Sequence, residues 1–438
     1  MRKIHLKYKQ RLAHLKKKRG IALVAWCIYD WASASFPIIV TTFIFATYFT
    51  TRVAENSILG TYQWANATAL AGLIIAISSP IFGAIADYSG HHKRWLCFFT
   101  ILCIISTALL WYAYPSIEYV TFTLACVVVG TIGLEISLVF YNAYLPSLVK
   151  PSHIGRLSGI GWGCGYIGGI LALTLTLILF VKSTPTWLNT QTSEQIRICG
   201  PLAALWYALF SLPLFFFIPE LHTAEIPLIR AIRSGVKDLI TTLKTLPKQK
   251  NILIYLISHM IYTDGLNTLF AFGGIYAAGT LHFTFSEVLL FGIMTNITAG
   301  IGAISLSWVD DYFGSKPTVL FSLICLLLFG TPILLVANKQ AFWVFALLLS
   351  LFLGPAQAAS RSLMARLIQH EKTTEMFGLY ALSGKATAFI GPWILGWITL
   401  HFGSQRIGMG TILLFFLIGG WLLLYVKETP YKKEVLAI

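Results

Sequence analysis

Gly83-Ala84-Ile85-Ala86-Asp87-Tyr88-Ser89-Gly90 closes one long apolar stretch of this chain, and Ser307-Trp308-Val309-Asp310-Asp311-Tyr312-Phe313-Gly314 closes another. Both carry Asp-Tyr-x-Gly, with Asp87 and Asp311 separated by 224 residues. Two further pairs recur at similar offsets. Tyr166-Ile167-Gly168 and Phe389-Ile390-Gly391 lie 223 apart, and the aspartates of Tyr29-Asp30 and Tyr262-Thr263-Asp264 lie 234 apart. Each pair alone is a coincidence of small motifs. Three at nearly one spacing indicate related halves, and duplicated six-helix halves are a transporter architecture.

The 438 residues are 57% hydrophobic and 11% charged, against about half and about a quarter in soluble domains. Apolar runs of about twenty residues predict membrane helices. Twelve are expected, at 21–50, 62–86, 95–114, 120–148, 157–181, 199–218, 252–279, 284–308, 317–337, 340–367, 377–401 and 408–427. Pro37, inside the long first span, supplies a kink. The polar connection 219–251, with Pro219, Pro227 and Pro247, separates a bundle at 21–218 from one at 252–427, with tails at 1–20 and 428–438. Within that connection, residues 229–246 read as an amphipathic helix whose apolar side meets the inner leaflet.

Charge orients the chain. Of the 32 Lys and Arg, 26 fall in the two tails and in alternate connections on the same side, and nine of these precede residue 21. The positive-inside bias therefore puts both termini in the cytoplasm, as an even number of spans requires. The formal charge of +15 is read as contact with anionic lipid, not with nucleic acid. The first apolar run is too long for a signal peptide and lacks a cleavage-like end. Seven cysteines without a C-x-x-C pair read as small core residues, so no metal or other cofactor is expected.

The loop Gly83-x-x-Ala86-Asp87-x-x-Gly90, followed by His91-His92-Lys93-Arg94, resembles the signature loop of the major facilitator superfamily. It departs from that pattern at Tyr88 and at His91-His92, where arginine is usual. Five stretches across both halves are similar to the vacuole-effluxer-like branch, named for a yeast vacuolar amino-acid exporter. They are YDWASASF at 29–36, VFYNAYLP at 139–146, YTDGLNT at 262–268, QAASRSLMARLI at 357–368 and FGLYALSGKATAFIGP at 377–392. The resemblance implies an all-α, twelve-helix facilitator fold, alternating access and an amino-acid-like substrate.

Few ionisable groups lie deep in the spans: Asp30, Glu135, Asp264 and Lys385, with His259 nearer an edge. A charge at the bilayer centre costs about 2.5–3.5 kcal/mol on insertion scales, so each must pair or face a polar cavity. Asp30 and Asp264, at matching places in the halves, are expected to face each other across a central cavity and share a proton. Glu135 joins them as a proton-coupling candidate. Trp26, Tyr29, Trp31, Tyr141, Asn142, Asn267, Gln357, Arg361 and Lys385 are candidate contacts for a small polar or zwitterionic solute. Other roles stay open: Glu135 and Asn142 as a helix–helix contact, Arg361 as an inner-gate ion pair or lipid-facing cation, Lys385 as the partner of a buried carboxylate such as Glu135.

Gly83, Asp87, Gly90, Asp311 and Gly314 form the candidate gate. There a carboxylate can meet a neighbouring helix N-terminus beside a glycine that permits a tight turn. Gly161, Gly165 and Gly169 repeat every four residues as a close-packing face. The apparent phosphate loop Gly378–Thr387 fails, because five residues separate Gly378 from Gly384 where four are needed and Ala386 replaces Ser/Thr. No hydrolase or zinc motif occurs, so an enzyme is not expected. The expectation is a monomeric secondary active transporter of a bacterial inner membrane, proton-coupled, for a small amino-acid-like solute. Rivals are a carrier of a larger polycarboxylate or metal chelate such as a siderophore, and a membrane sensor or lipid-moving protein on the same fold.

Overall fold

The computed structural model describes residues 20–182, 185–221, 227–368 and 372–428. The terminal tails and their cations lie outside the described residues, apart from Gly20 and Glu428. Described residues with regular structure are all helical. Among the described residues ten helices are long and apolar enough to cross a membrane: α1 (Gly20–Val53), α2 (Ser57–Ser89), α3 (His92–Tyr112), α4 (Ile117–Leu148), α5 (Pro151–Lys182) and α6 (Glu194–Phe217) in the first half, then α9 (Glu287–Phe313), α10 (Ser315–Leu335), α11 (Lys339–Leu367) and α14 (Gln405–Leu424). Between them come α7 (Leu228–Thr245) and α8 (Lys250–Leu281), and α12 (Thr373–Lys385) and α13 (Ile390–Phe402) precede α14.

Two of the twelve expected spans are not among these ten, and only the second of them departs from a continuous helix. The span expected at 252–279 is the continuous helix α8, whose His259, Asp264 and Asn267 dilute its apolar character. The span expected at 377–401 is broken into α12 and α13 by turns at 386–389. Pro392 has no N–H to donate, and its ring crowds the carbonyl four residues back. The predicted irregularity at Pro37 takes the form of a π-helical stretch, Pro37–Phe43, in which Ile44 N–H reaches back five residues to Ile39 O (3.1 Å).

Ends are set by local chemistry. Asn56 caps α2 by accepting from Leu59 N–H (2.9 Å), and Thr284 and Glu287 cap the start of the eighth span reciprocally. Gly90, with φ +67°, turns α2 into α3. Within the first half α3 packs on α4 and α6, and α2 on α4; in the second, α8 on α14, α9 on α11, and α10 on α11 and α14. Contact across the halves runs through α2 with α12, α4 with α12, and α5 with α9 and α11. The glycines of α5 allow close approach both within its half and across the halves. Gly165 faces the backbone of Asp30 on α1, and Gly159 leaves no room for a side chain against Ala303 and Ser307 of α9.

Helix α7 lies on the face that carries the basic connections. Gly235 seats it on the backbone of Ala84 and Ile85, a methyl group there coming within 3.0 Å of both. Tyr88 Oη donates to Asp238. Ile232, Ile240 and Leu243 stay exposed along its length.

Candidate functional site

Asp30 does not face Asp264. Its carboxylate accepts from Arg361 Nη1 of α11 at 3.1 Å, a link between the halves. Arg361 also donates through Nη1 to Asn142 Oδ1 (3.3 Å), through Nε to Ser158 Oγ (2.9 Å) and through Nη2 to Ser158 O (2.7 Å). Its guanidinium lies 4.8 Å from the Trp26 ring centre. Gly161 makes the cluster possible, since a methyl group there would come 2.7 Å from both Asp30 Oδ2 and the Trp26 ring. Arg361 is thus a buried clamp between α1, α4, α5 and α11, with four of its five N–H groups bonded. The ion-pair reading fits the geometry, the pair bridging the two halves, and a lipid-facing cation is excluded by burial.

The aromatic candidates need correction too. Trp26, Tyr29 and Tyr141 are fully buried. Trp26 Nε1 donates to Tyr141 O (3.1 Å), and Tyr141 Oη donates back to Trp26 O (3.0 Å). Tyr29 Oη is bonded to Thr100, Ser137 and Tyr207. Their polar atoms hold α1 against α3, α4 and α6, so in this conformation they are scaffold. Trp31 stacks on Trp206 of α6, with ring centres 5.9 Å apart. Gln357 accepts from Tyr166 Oη (2.7 Å), a second α5–α11 link. Asn267 is half-buried on α8, and no hydrogen bond among the described residues joins it to these groups.

Lys385, the last residue of α12, meets Glu135 of α4: Nζ to Oε1 is 2.7 Å. This pair also crosses the halves, and its side chains remain 30% and 23% exposed. Asp264 sits apart on α8, 2% exposed. Its Oδ2 accepts from Gly391 N–H (3.1 Å) at the start of α13, and its Oδ1 has no hydrogen-bond partner. Nearby His259 stacks on Tyr380 and bonds Ser383 through Nδ1 (2.7 Å). Among the described residues no three His, Cys, Asp or Glu side chains converge as metal ligands.

At the basic face the two Asp-Tyr-x-Gly turns do matching things. Asp87 accepts from Thr374 N–H (3.2 Å) and Glu375 N–H (2.8 Å), capping α12 of the other half, and from His92 Nε2 (3.0 Å). Gly83 lets α2 close on Thr374 and Glu375. Asp311 accepts from Gly155 N–H (2.8 Å) and from Arg156 N–H (3.3 Å) and Nε (2.7 Å), capping α5. Gly314 turns at φ +104°. Arg366 joins Asp310 (2.7 Å), Asp311 (3.3 Å) and Glu428 (3.3 Å).

Reading the sequence missed the second carboxylate of each turn. Glu220 accepts from Lys93 N–H (2.9 Å), and Glu428 accepts from Ser315 N–H (2.9 Å) and Lys316 N–H (2.7 Å). A signal existed: both follow the last apolar residues of a half, 208 residues apart.

A family model described as "Vacuole effluxer Atg22 like" matches residues 50–435. The chain is similar to the uncharacterised MFS-type transporter YxiO of Bacillus subtilis, 26% identical over 412 residues that cover 92% of this chain and 94% of that protein. Autophagy-related protein 22-1 of Phaeosphaeria nodorum is 24% identical over 418 residues, covering 80% of this chain and 73% of the relative. Among solved structures, the proton:xylose symporter XylE superposes with a TM-score of 0.73 at 14% identity, over 95% of this chain and 97% of that one. FucP in its outward conformation gives 0.72 at 16% identity, over 94% and 99%. These two likenesses show the fold, that of the major facilitator superfamily.

Proposed function

The chain belongs to the vacuole effluxer Atg22-like family, and on that premise we propose that it is a secondary active transporter carrying a small zwitterionic, amino-acid-like solute by alternating access, coupled to protons. The observation that carries this reading is the Glu135–Lys385 pair. It joins the middle of α4 to the C-terminal end of α12 and stays partly exposed. Stripping one partner from such a pair leaves an uncompensated charge. An α-amino acid avoids that cost, because its ammonium can take Glu135 while its carboxylate takes Lys385. A polyanionic chelate could satisfy Lys385 but would leave Glu135 facing like charge. Arg361 offers it little, being bound to Asp30, Asn142 and Ser158.

The caps at Asp87 and Asp311 hold the halves together at the basic face. With that face in the cytoplasm of a bacterial inner membrane, where α7 meets anionic lipid, the conformation is closed inward. Asp30, bound to Arg361 across the halves, is a coupling site whose protonation would weaken that link.

Purified protein in proteoliposomes tests the reading. Radiolabelled neutral amino acids should move faster with an imposed pH gradient, and exchanging Glu135 and Lys385 for Gln and Met should abolish that flux. Transport of sugars or dicarboxylates with no amino-acid flux would overturn it.

A further inference from the structure

Asp30, Asp87, Glu135, Asp310 and Asp311 each meet a Lys, Arg or His, whereas among the described residues Asp264 meets none. It is buried, one oxygen is unpartnered, and the other holds the first free amide of a thirteen-residue helix, α13. That amide is where α12 and α13 part. Ala386 N–H still reaches Leu382 O (2.8 Å), but Ala388 and Ile390 step back only three residues, to Lys385 O (3.3 Å) and Thr387 O (2.7 Å). In an unbroken helix Gly391 N–H would take Thr387 O. Here it turns to Asp264, and Pro392 next to it has no N–H to offer. Fit is tight, since a methyl group on Gly391 would come 3.0 Å from Asp264 Oδ1.

We infer that Asp264 is a proton-binding site that sets the joint between α12 and α13. Ionised, it draws Gly391 N–H out of the helical ladder, because a bond to a charged acceptor is roughly twice as strong as a neutral one. Protonated, it lets that N–H return to Thr387 O, and α12 runs on into α13 with a proline bend. Proton binding also removes a buried charge that has no counter-ion. The ionisable groups on the packed elements have other partners. On α8, His259 bonds Ser383 and Tyr262 bonds Ser360; on α12, Lys385 pairs with Glu135 and Tyr380 stacks on His259. On α11, α13 and α14, Arg361 holds Asp30, His401 stacks on Trp397 and Arg406 donates to Val336 O; on α9, Glu287 pairs with Lys339. The inference rests on the transporter reading for its consequence: the inner end of α12 is tied to Asp87, so the joint links a proton to the gate.

Amide hydrogen exchange of residues 382–395 in the intact protein, measured across pH and corrected for intrinsic rates, tests it without any substrate. Wild-type protection should rise on acidification by on the order of tenfold, the usual scale of coupling between sites. Asp264→Asn keeps an acceptor for Gly391 N–H but cannot ionise, so it should show the acid pattern at every pH. If Asp264→Asn keeps the wild-type pH response, the carboxylate is a structural cap and the inference falls. It falls equally if sodium at fixed pH moves the segment, or if Glu135→Gln alone removes the response. Failure to find an amino-acid flux would leave these results unchanged, so the two readings fail separately.

Discussion

Lys385 and Glu135 show how far a single residue can be read from sequence. A lysine alone in a deep apolar segment must find a carboxylate, and Glu135 was a named candidate for it. The 2.7 Å contact makes the energetic consequence testable. Lys385→Ala should destabilise by about 1–3 kcal/mol, the cost of leaving a buried polar group unmet, reduced by the partial exposure of the pair. Adding Glu135→Ala should restore part of that loss, because the orphaned charge goes too. Thermal unfolding of the two single mutants and the double mutant reads this directly, and a double mutant no more stable than Lys385→Ala would count against a coupled pair. Asp30 was harder. Its partner lies 331 residues away on α11, and the expectation of a symmetric Asp30–Asp264 pair was an argument from duplication. The halves have diverged there: α1 presents its carboxylate to an arginine, α8 to a backbone amide. Periodicity also could not separate aromatic scaffold from cavity lining, because Tyr29 and Tyr141 satisfy their hydroxyls through residues that look like ordinary apolar spans.

Elements were legible where hydropathy decides them and obscure where one hydrogen bond does. Runs of apolar residues located α1 to α6 closely. The break between α12 and α13 was hidden because Pro392 permits a bend without forcing one, and the diverted Gly391 amide depends on a carboxylate from another helix. Helix α7 was foreseen as amphipathic, but the membrane was expected to hold it. Its docking on α2 through Gly235 and the Tyr88–Asp238 bond adds a second anchor, and Lys372 Nζ to Thr242 Oγ1 (3.0 Å) ties it to the start of α12. If those contacts hold it, Asp238→Ala combined with Gly235→Leu should raise trypsin cleavage at Arg230, Arg233 and Lys237 several-fold in reconstituted protein. Unchanged cleavage would mean that the bilayer alone secures α7.

At the scale of the whole molecule the repeated Asp-Tyr-x-Gly turn explains how two halves can be locked by so little. Each cap spends one carboxylate on the first amides of a helix in the opposite half, a contact worth about 0.3–1 kcal/mol when exposed and up to ~2 when partly buried. Both aspartates are nearly buried, at 8% and 4% exposure, so the upper figure applies. A loss of 1–2 kcal/mol changes a two-state ratio by roughly 5- to 30-fold, whereas a complete reversal needs about 5.5 kcal/mol. Asp87→Ala should therefore open the basic face partially. Asp311→Ala should open it further, because the Arg156 side chain across the halves loses its partner as well. The two caps share no residue, so their effects should multiply in the double mutant. Labelling rates of cysteines placed along the inner halves of α4 and α5, with an impermeant maleimide applied from the basic side, measure the open population. Equal rates in wild type and double mutant would show that the close packing of α2 on α12 and of α5 on α9 seals the face without the carboxylates. A double mutant no faster than Asp311→Ala would assign the barrier to that cap and its ion pair with Arg156.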